Sequence, residues 1–341
     1  MRIVKVIFAV LAVLSLSATA APGGSYHLLN KYVLGGEGGW DYLTVDSASH
    51  RLFISRGNHV MVVDTESGKV VGDIANTPGS HGIALAPEFN RGFVSSGGDS
   101  VAVVFDMKTL AEVDRVKTGE RPDAIIYDPA SKRVFTFNAR GQDATAIDAA
   151  TGKVAGSVPL GGKPEFAAAD DKGHVYVNIE DKSQIVEFDS KKLAVLHTWP
   201  LAPCEEPSGL AMDTKHRRLF AGCHNKMMAV VNADTGAVVA TPPIDTGVDA
   251  NKFDPGTELA FSSNGSGTLT VVHEDSPDKY TVVETVQTAR GARTMALDTT
   301  THNVFLVTAE SGPPPAPTTE NPRPRPTMVP GTFQLLVYGM K

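Results

Sequence analysis

Short runs of alternating apolar and polar residues follow one another along the whole chain, and each run ends in a cluster of Asp, Asn, Gly, Thr or Ser. Alternation with a period of two predicts β-strands, and these clusters predict tight turns. One aromatic position recurs within the runs every 40 to 44 residues: Phe53, Phe93, Phe135, Tyr176, Phe220, Phe261 and Phe305. The chain is therefore expected to consist of seven copies of one all-β unit.

Each copy divides into four predicted strands. The first is small and aliphatic, the second carries the aromatic residue, the third alternates, and the fourth is rich in Val and Ile but more polar. In five copies an Asp stands seven residues before the aromatic: Asp46, Asp128, Asp213, Asp254 and Asp298. Four-stranded units at this spacing are typical of β-propeller blades. We therefore predict an all-β, seven-bladed β-propeller of four-stranded blades.

The two ends of the chain predict how the ring closes. The last copy supplies only three strands, whereas residues 26–34 resemble the fourth strands of the other copies. We predict that this N-terminal strand completes the last blade, so that strand pairing closes the ring and leaves no open edge between blades. A single propeller domain is expected over 21–341, with blades near 35–74, 75–116, 117–158, 159–199, 200–242, 243–286 and 287–341.

A Pro-rich loop, 310–331, interrupts the last predicted blade between its second and third strands. So many prolines cannot join a sheet. The loop is expected on the same face as the mouth of the central channel. It would serve there as a lid or a docking strap, with Arg323 and Arg325 as its charges, or it is a tolerated surface insertion.

The N-terminus predicts a secretory signal peptide over 1–20. Arg2 and Lys5 precede an apolar run over 6–16, and small residues follow at 17–21. This is the three-part plan of a cleaved leader, and we expect cleavage after Ala20. The apolar run is shorter than the roughly 20 residues of a membrane span. We therefore expect a secreted or periplasmic monomer with no membrane span.

The charge balance bears on partners. The chain has 31 Lys and Arg against 38 Asp and Glu, a formal net charge of −7. Nucleic acids and anionic lipids are captured by Lys and Arg that neutralise phosphates. This acidic chain is therefore not expected to bind nucleic acid.

Local motifs carry a family resemblance. Residues 175–178 read Val-Tyr-Val-Asn, third strands end in Asp, as in the Val-x-Asp of 62–64 and 104–106, and a Ser-Gly-Lys or Thr-Gly-Lys turn follows at 67–69 and 151–153. The chain resembles the YVTN-repeat β-propellers, the YncE-like and surface-layer group of secreted bacterial and archaeal proteins, although 175–178 lacks the family's Thr. The resemblance implies a secreted propeller. It implies no single activity, because propellers host many unrelated functions.

One polar residue per copy is expected at the channel mouth. Aligning the copies places it five positions before the recurrent Asp, whereas the residues three positions further on are mostly aliphatic. The members of this predicted ligand-binding ring are Asp41, His81, Asp123, Glu165, Ser208, Asp249 and Arg293.

The ring suggests three uses. Crowded carboxylates repel one another unless a proton or a cation neutralises them. Oxygen ligands suit Ca²⁺ or Mg²⁺, and an added imidazole favours Zn²⁺ or Mn²⁺. Arg293 is placed to hold a ligand carboxylate or to pair with Asp249. The ring would therefore bind a metal ion, bind a ligand carboxylate, or only hydrogen-bond water in the channel. The candidate metal ligands are Asp41, His81, Asp123 and Glu165.

Further candidates lie beside the ring. Trp40 would stack on a sugar or an aromatic ligand, whereas core packing is expected for Tyr42. The loops after the second strands add single polar residues, which commonly are solvated turn positions: Arg56, Asn58, His59, Asn138, Arg140, Glu180, His224 and Asn264.

The only two cysteines, Cys204 and Cys223, fall in the same copy. An even pair in an exported protein predicts a disulfide bond. The alternative is metal ligation together with His224. The chain contains no Cys-x-x-Cys-His haem motif.

The chain contains no nucleophile elbow, phosphate-binding loop, dinucleotide fingerprint or zinc-protease motif. The sequence thus favours a binding or scaffold protein, which uses its channel-mouth face for a small molecule or a protein of the cell envelope. The one cofactor it suggests is a divalent cation at the ring, Ca²⁺, Mg²⁺, Zn²⁺ or Mn²⁺. One alternative is a hydrolase or lactonase in which a divalent cation of the ring polarises a carbonyl and activates water. A further alternative is a quinone-cofactor dehydrogenase.

Overall fold

Each predicted copy forms a four-stranded antiparallel sheet. A computed structural model describes residues 25–318 and 327–340, so the predicted leader 1–20, Arg323 and Arg325 lie outside the described residues. Strands are numbered in chain order. The innermost strands, which line the central channel, are β2 (Leu43–Asp46), β6 (Ser80–Ala86), β10 (Pro122–Asp128), β14 (Pro164–Ala169), β18 (Pro207–Asp213), β22 (Val248–Asp254) and β26 (Met295–Asp298).

The remaining strands run outward from the channel. The second strands are β3 (Arg51–Ser55), β7 (Arg91–Ser96), β11 (Arg133–Asn138), β15 (His174–Ile179), β19 (Arg218–Cys223), β23 (Leu259–Asn264) and β27 (Asn303–Thr308). The third strands are β4 (Val60–Asp64), β8 (Val101–Asp106), β12 (Asp143–Asp148), β16 (Gln184–Asp189), β20 (Met227–Asn232), β24 (Thr268–Ser276) and β28 (Gln334–Gly339). The outer strands are β5 (Val70–Ile74), β9 (Glu112–Lys117), β13 (Val154–Pro159), β17 (Ala194–Pro200), β21 (Val238–Ala240), β25 (Lys279–Gln287) and β1 (His27–Val33). Two short 3₁₀ helices, Pro87–Phe89 and Glu180–Lys182, are interposed.

The innermost strands form a closed ring. Each packs against the innermost strand of the next blade, and β26 returns to β2. The predicted seven-bladed propeller is therefore confirmed. Among residues 25–318 and 327–340 we find no helix with the length and apolarity of a membrane span.

The recurrent aromatic residues lie on the second strands, as predicted, and fill the space between neighbouring blades. All seven are at most 1% exposed. Phe135 packs edge-on against Phe188 of the next blade, with ring centroids 5.3 Å apart. This packing explains the spacing of the aromatic residues, because each blade needs one large apolar side chain at this level.

The N-terminal strand completes the seventh blade, in agreement with the sequence. The order in that sheet is β26-β27-β28-β1, and β1 runs antiparallel to β28 with Tyr32 opposite Leu335. Tyr26, just before β1, is 2% exposed and packs on Phe261 of the sixth blade. Its hydroxyl donates a hydrogen bond to the His302 carbonyl at 3.0 Å.

A glycine turn in the first blade leaves room for this closing strand. Gly68 has a φ of +66°, in the left-handed region where glycine is favoured. A Cβ atom at this position would lie 2.1 Å from the ring of Tyr32. The Tyr32 hydroxyl donates to the Glu66 carbonyl at 3.1 Å. The turn at Ser67 and Gly68 thus also provides the surface on which Tyr32 of β1 packs.

Candidate functional site

The seven residues of the predicted ring lie at or just before the starts of the innermost strands, on one face of the propeller, which we call the channel-mouth face. Their side chains form two connected groups. In the first, the Nδ1 atom of His81 lies between two carboxylates, 2.6 Å from Asp41 Oδ2 and 3.4 Å from Asp123 Oδ1. The contact with Asp41 is a hydrogen bond.

Burial shapes the electrostatics of this group. Burial raises the pKa of Asp41, partly offset by its hydrogen bond with His81. Burial also raises the pKa of Asp123, against the charge of His81. Burial alone would lower the pKa of His81, but the Asp41 hydrogen bond and the two carboxylate charges raise it. Burial and mutual charge thus shift the pKa values of all three side chains upward.

Arg293 links the first group to Asp249. Its Nε donates to Asp249 Oδ2 at 2.5 Å, and its Nη2 lies 3.7 Å from Asp41 Oδ1. The Ser208 hydroxyl donates to Asp249 Oδ1 at 3.1 Å. Burial acts to lower the pKa of Arg293, but the charges of Asp249 and Asp41 outweigh it and raise that pKa.

Glu165, the remaining ring residue, belongs to a second group. Lys163 Nζ lies 2.7 Å from Glu165 Oε1 and also pairs with Glu180. Burial and the charge of Asp123 raise the pKa of Glu165 to about 8, although Lys163 acts in the opposite direction. Of the four candidate metal ligands, the structure groups Asp41, His81 and Asp123, whose nearest ligand atoms lie within 4.8 Å of one another. Glu165 forms a salt bridge with Lys163 instead.

Glu165→Gln is expected to flatten the pH dependence of stability. Because the pKa of Glu165 is raised on folding, its contribution is present below about pH 4.5 and is lost as pH rises to about 8. Between pH 5 and pH 8 the wild type should lose on the order of 2 kcal/mol more than the variant in the free energy of unfolding. Urea titrations at both pH values measure this, with the exposed Glu205→Gln as control. Parallel curves for wild type and Glu165→Gln would contradict it.

Below the ring lies a cavity of about 360 Å³, lined by innermost strands. Tyr42 is 5% exposed there and packs edge-on against Phe166, with ring centroids 4.3 Å apart. Tyr42 thus packs in the core, as expected, and at the same time forms part of the channel wall. Lys252 points into the same cavity, and its Nζ lies 5.3 Å from the Phe166 centroid. Among the described residues no carboxylate pairs with Lys252, and burial lowers its pKa.

Lys252→Met is expected to stabilise the protein at pH 7 by about 1–3 kcal/mol, because it removes a poorly solvated ammonium group from the channel. A lowered pKa in the folded state means that the charge disfavours folding below the ordinary lysine range. The advantage of Met should therefore shrink as pH approaches that range. Urea unfolding at pH 7 and at higher pH measures it, with the exposed Lys215→Met as control. A variant less stable than wild type at pH 7 would contradict this account.

A separate pocket of about 560 Å³ opens beside the ring. Trp40, Arg293 and Glu37 line one side. Ser311 and Met328, from the two ends of the Pro-rich loop, line the other side and form an antiparallel bridge. The Trp40 ring is braced by Phe333, with centroids 5.6 Å apart. We call this the Trp40 pocket.

The remaining candidates are dispersed. Arg56 is fully buried over the Phe333 ring and donates to the Glu37 and Gly38 carbonyls, so it supports the chain just before Trp40. Asn138 is also buried, and its amide donates to Asp143 and Thr145. Asn264 is likewise buried, and its amide donates to Ser262 and Thr268. Of the others, His59 pairs with Asp73, His224 with Glu206 and Glu180 with Lys163, while Asn58 and Arg140 are exposed.

The predicted disulfide bond is confirmed. Cys204 and Cys223 are joined with a sulfur–sulfur distance of 2.04 Å and are at most 2% exposed. The bond ties the loop before β18 to the end of β19 in the fifth blade. The alternative of metal ligation with His224 is thereby excluded for the cysteines of this structure.

Sequence reasoning missed two charged residues of this face. Lys163 lies two positions before Glu165 and was not in the aligned ring register. Lys252 stands three positions after Asp249, where the other copies mostly carry Ala or Ile. A charged residue at an otherwise aliphatic position was the signal that could have identified it.

The geometry defines a seven-bladed propeller with a polar, internally paired channel mouth. No protein-family model matches the chain. Over 112 residues it is 30% identical to the uncharacterized protein YncE of Salmonella typhimurium strain LT2, and equally to that of Salmonella typhi. These matches span 31% of this chain and 31% of each relative. The partial match and the fold together support a YncE-like propeller, and membership of the YVTN-repeat family stays a prediction.

Among solved structures, the chain is similar to a chain of Kuenenia stuttgartiensis hydrazine synthase. The TM-score is 0.67 at 16% sequence identity, and the match covers 81% of this chain and 95% of that chain. At this identity the similarity shows the fold alone.

Proposed function

We propose that this chain is an exported, non-catalytic binding protein that holds a small, planar, carboxylate-bearing organic molecule in the Trp40 pocket. The observation that carries the proposal is the pocket itself, where an indole and a fixed guanidinium converge beside the channel mouth. Its volume of about 560 Å³ lies within the usual range of ligand pockets, roughly 300–1,000 Å³.

The two anchors suit different parts of such a ligand. Trp40 is partly buried against Phe333 and offers an apolar surface for a planar group. Arg293 is held in place by Asp249 through Nε, yet its side chain remains 40% exposed. A guanidinium fixed on one side and open on the other is suited to a carboxylate. The Pro-rich loop ends would close over the bound molecule.

A thermal-shift screen tests this function. Benzoate, phenylacetate and indole-3-acetate form the test panel, and glucose and galactose form the comparison set. At least one aromatic acid is expected to raise the melting temperature of the wild type, and Trp40→Ala should abolish the rise. The exposed Arg140→Gln variant should respond like the wild type. No stabilisation by any acid, or an equal rise in Trp40→Ala, would reject the proposal.

Export is part of the proposal. The predicted leader over 1–20 and the Cys204–Cys223 disulfide support it, because disulfides persist mainly in oxidising compartments. The expected mature N-terminus is Ala21, measured by intact mass of the protein expressed with its own leader. A mass that retains residues 1–20 would contradict export by cleavage.

A second candidate function rests on the group of Asp41, His81 and Asp123, whose ligand atoms lie within 4.8 Å. A divalent cation there would polarise a carbonyl and activate water in a hydrolase or lactonase. Lactone hydrolysis that depends on added Mn²⁺ or Zn²⁺ and is lost in Asp123→Asn would favour it. Hydrolysis that is absent, or unaffected by the metal, would reject it.

A further inference from the structure

Three side chains converge on the face opposite the channel mouth, between the fifth and sixth blades. Asp213 ends β18, His216 lies in the turn that follows, and Glu274 lies near the end of β24. Strand β18 carries the chain from Ser208 at the channel mouth to Asp213, roughly 16 Å away at about 3.3 Å per residue. We call these three residues the opposite-face cluster. They share no residue with the channel-mouth ring or the Trp40 pocket.

An unusually long hairpin brings Glu274 to the cluster. Strands β24 and β25 have nine residues each, whereas the other third and outer strands have three to seven. Buried Arg218 of the fifth blade holds the hairpin tip, donating from Nε to the Pro277 carbonyl at 2.6 Å and from Nη2 to Asp278 at 3.0 Å. The Glu274 amide donates to the Glu258 carbonyl at 2.9 Å. The backbone that carries Glu274 is therefore held in place beside the fifth blade.

The Asp213 carboxylate accepts the backbone amides of Lys215 and His216 at 2.9 and 3.0 Å, whereas His216 Nδ1 and both Glu274 oxygens lie close by without a hydrogen bond. His216 Nδ1 lies 2.8 Å from Asp213 Oδ2 and 3.1 Å from Glu274 Oε1, yet neither contact has hydrogen-bond geometry. The Glu274 side chain is 1% exposed, and neither of its oxygens has a hydrogen-bond partner among the described residues. A buried carboxylate in this condition is costly unless something neutralises it.

Other histidine–carboxylate pairs of this chain behave differently. His197 is hydrogen-bonded to buried Glu187 at 2.7 Å, and His302 to Asp254 at 2.7 Å. In those pairs the ring nitrogen and the oxygen are directed at each other. In the opposite-face cluster the atoms approach about as closely without this direction, which leaves His216 Nδ1 and both Glu274 oxygens without a hydrogen-bond partner.

We propose that the opposite-face cluster binds one divalent transition-metal ion of the Zn²⁺ type, through His216 Nδ1 and the carboxylates of Asp213 and Glu274. Zinc takes imidazole nitrogen and carboxylate oxygen at about 2.0–2.2 Å, which places the ligand atoms of a tetrahedral site about 3.3 Å apart. The two separations of His216 Nδ1 from the carboxylates, 2.8 and 3.1 Å, need little adjustment to reach this arrangement. His216 is 25% exposed, which gives the ion an entry path and leaves a position for water.

The charge balance of the cluster agrees with a bound cation. Two carboxylates face one imidazole, and the Glu274 carboxylate is buried without a hydrogen-bond partner. Arg218, the nearest guanidinium, is committed to the hairpin tip. A divalent ion would neutralise Glu274 and would also join the fifth blade to the sixth. The consequence is a metal staple between two blades, independent of the ligand site on the other face.

Zinc binding by the untagged, chelator-dialysed protein tests the proposal. Isothermal titration calorimetry with ZnCl₂ should show a site that is weakened at least about tenfold in Glu274→Gln and in His216→Ala. The matched control is Glu187→Gln, which alters a buried glutamate paired with one histidine and should leave zinc binding unchanged. Zinc should also raise the melting temperature of the wild type but not of the two cluster variants.

Further variants separate this site from the channel mouth and guard against misfolding. Asp123→Asn should leave the opposite-face affinity unchanged, whereas loss of all zinc binding in that variant would overturn the assignment. If Glu274→Gln does not fold, the partly exposed His216→Ala decides. No zinc binding by the wild type, or an undiminished zinc affinity in every folded cluster variant, would overturn the proposal.

Discussion

Tyr26→Ala is expected to lower the free energy of unfolding by about 3–5 kcal/mol, the range observed when a large buried aromatic side chain is truncated. Tyr26 is 2% exposed, packs on Phe261 of the sixth blade and precedes the strand that closes the seventh. Its loss should loosen the ring at the single place where the two ends of the propeller meet. Urea unfolding followed by circular dichroism measures the effect.

Tyr26→Phe is the matched control for this result. It keeps the ring and removes only the hydroxyl that donates to the His302 carbonyl, so a loss of about 1 kcal/mol is expected. If Tyr26→Ala costs no more than Tyr26→Phe, the packing of Tyr26 does not secure ring closure.

Replacing both Cys204 and Cys223 with Ala should lower the free energy of unfolding by about 3 kcal/mol. The two residues are separated by 19 positions, and the loop-closure estimate for a bond of this span gives that magnitude. The effect acts mainly through the unfolded chain, which becomes freer without the bond. Urea unfolding of the oxidised wild type against the double variant measures it.

Reductant supplies the control for the disulfide. Dithiothreitol should move the midpoint of the wild type towards that of the double variant and should leave the variant unchanged. A double variant as stable as the oxidised wild type would show that the bond adds no stability to the fifth blade.

The fold could be predicted from the sequence because the same pattern of apolar, aromatic and turn residues recurs seven times. One aromatic position per copy, buried in every blade, fixed both the number of blades and the place of the second strands. The polar segment 26–34 predicted closure because it matched the pattern of a solvent-facing outer strand. The strand observed, His27–Val33, lies within that range.

For the candidate site, the sequence predicts which position of each copy faces the channel mouth, but not how the side chains pair there. Alignment placed Asp41, His81 and Asp123 on one face, but the partners of Glu165 and Arg293 depend on the direction of each side chain. Lys163 could not be found by alignment, because it approaches Glu165 from the loop that precedes the strand. Whether two side chains of neighbouring blades form an ion pair depends on differences of a few ångströms in their positions. The repeat pattern contains no information at that scale.

The opposite-face cluster shows a second limit. Asp213 occupies the recurrent Asp position of the repeat, so the sequence gives it no distinction from Asp128 or Asp254. Its special setting comes from Glu274, 61 positions later, which reaches the cluster because one hairpin is longer than its counterparts. The greater length of this one hairpin thus brings together three side chains that no sequence motif would identify.

The fluorescence of Trp40 tests the central claim, a ligand site in the Trp40 pocket, most directly. The chain has two tryptophans, so Trp199→Phe leaves Trp40 as the only indole reporter. Titrating this protein with benzoate, phenylacetate and indole-3-acetate should give a saturable change in emission for at least one acid (benzoate and phenylacetate being free of indole emission). Adding Arg293→Gln should weaken that binding at least about tenfold, whereas the exposed Arg290→Gln should not alter it. No saturable change, or an undiminished one without Arg293, would contradict the account.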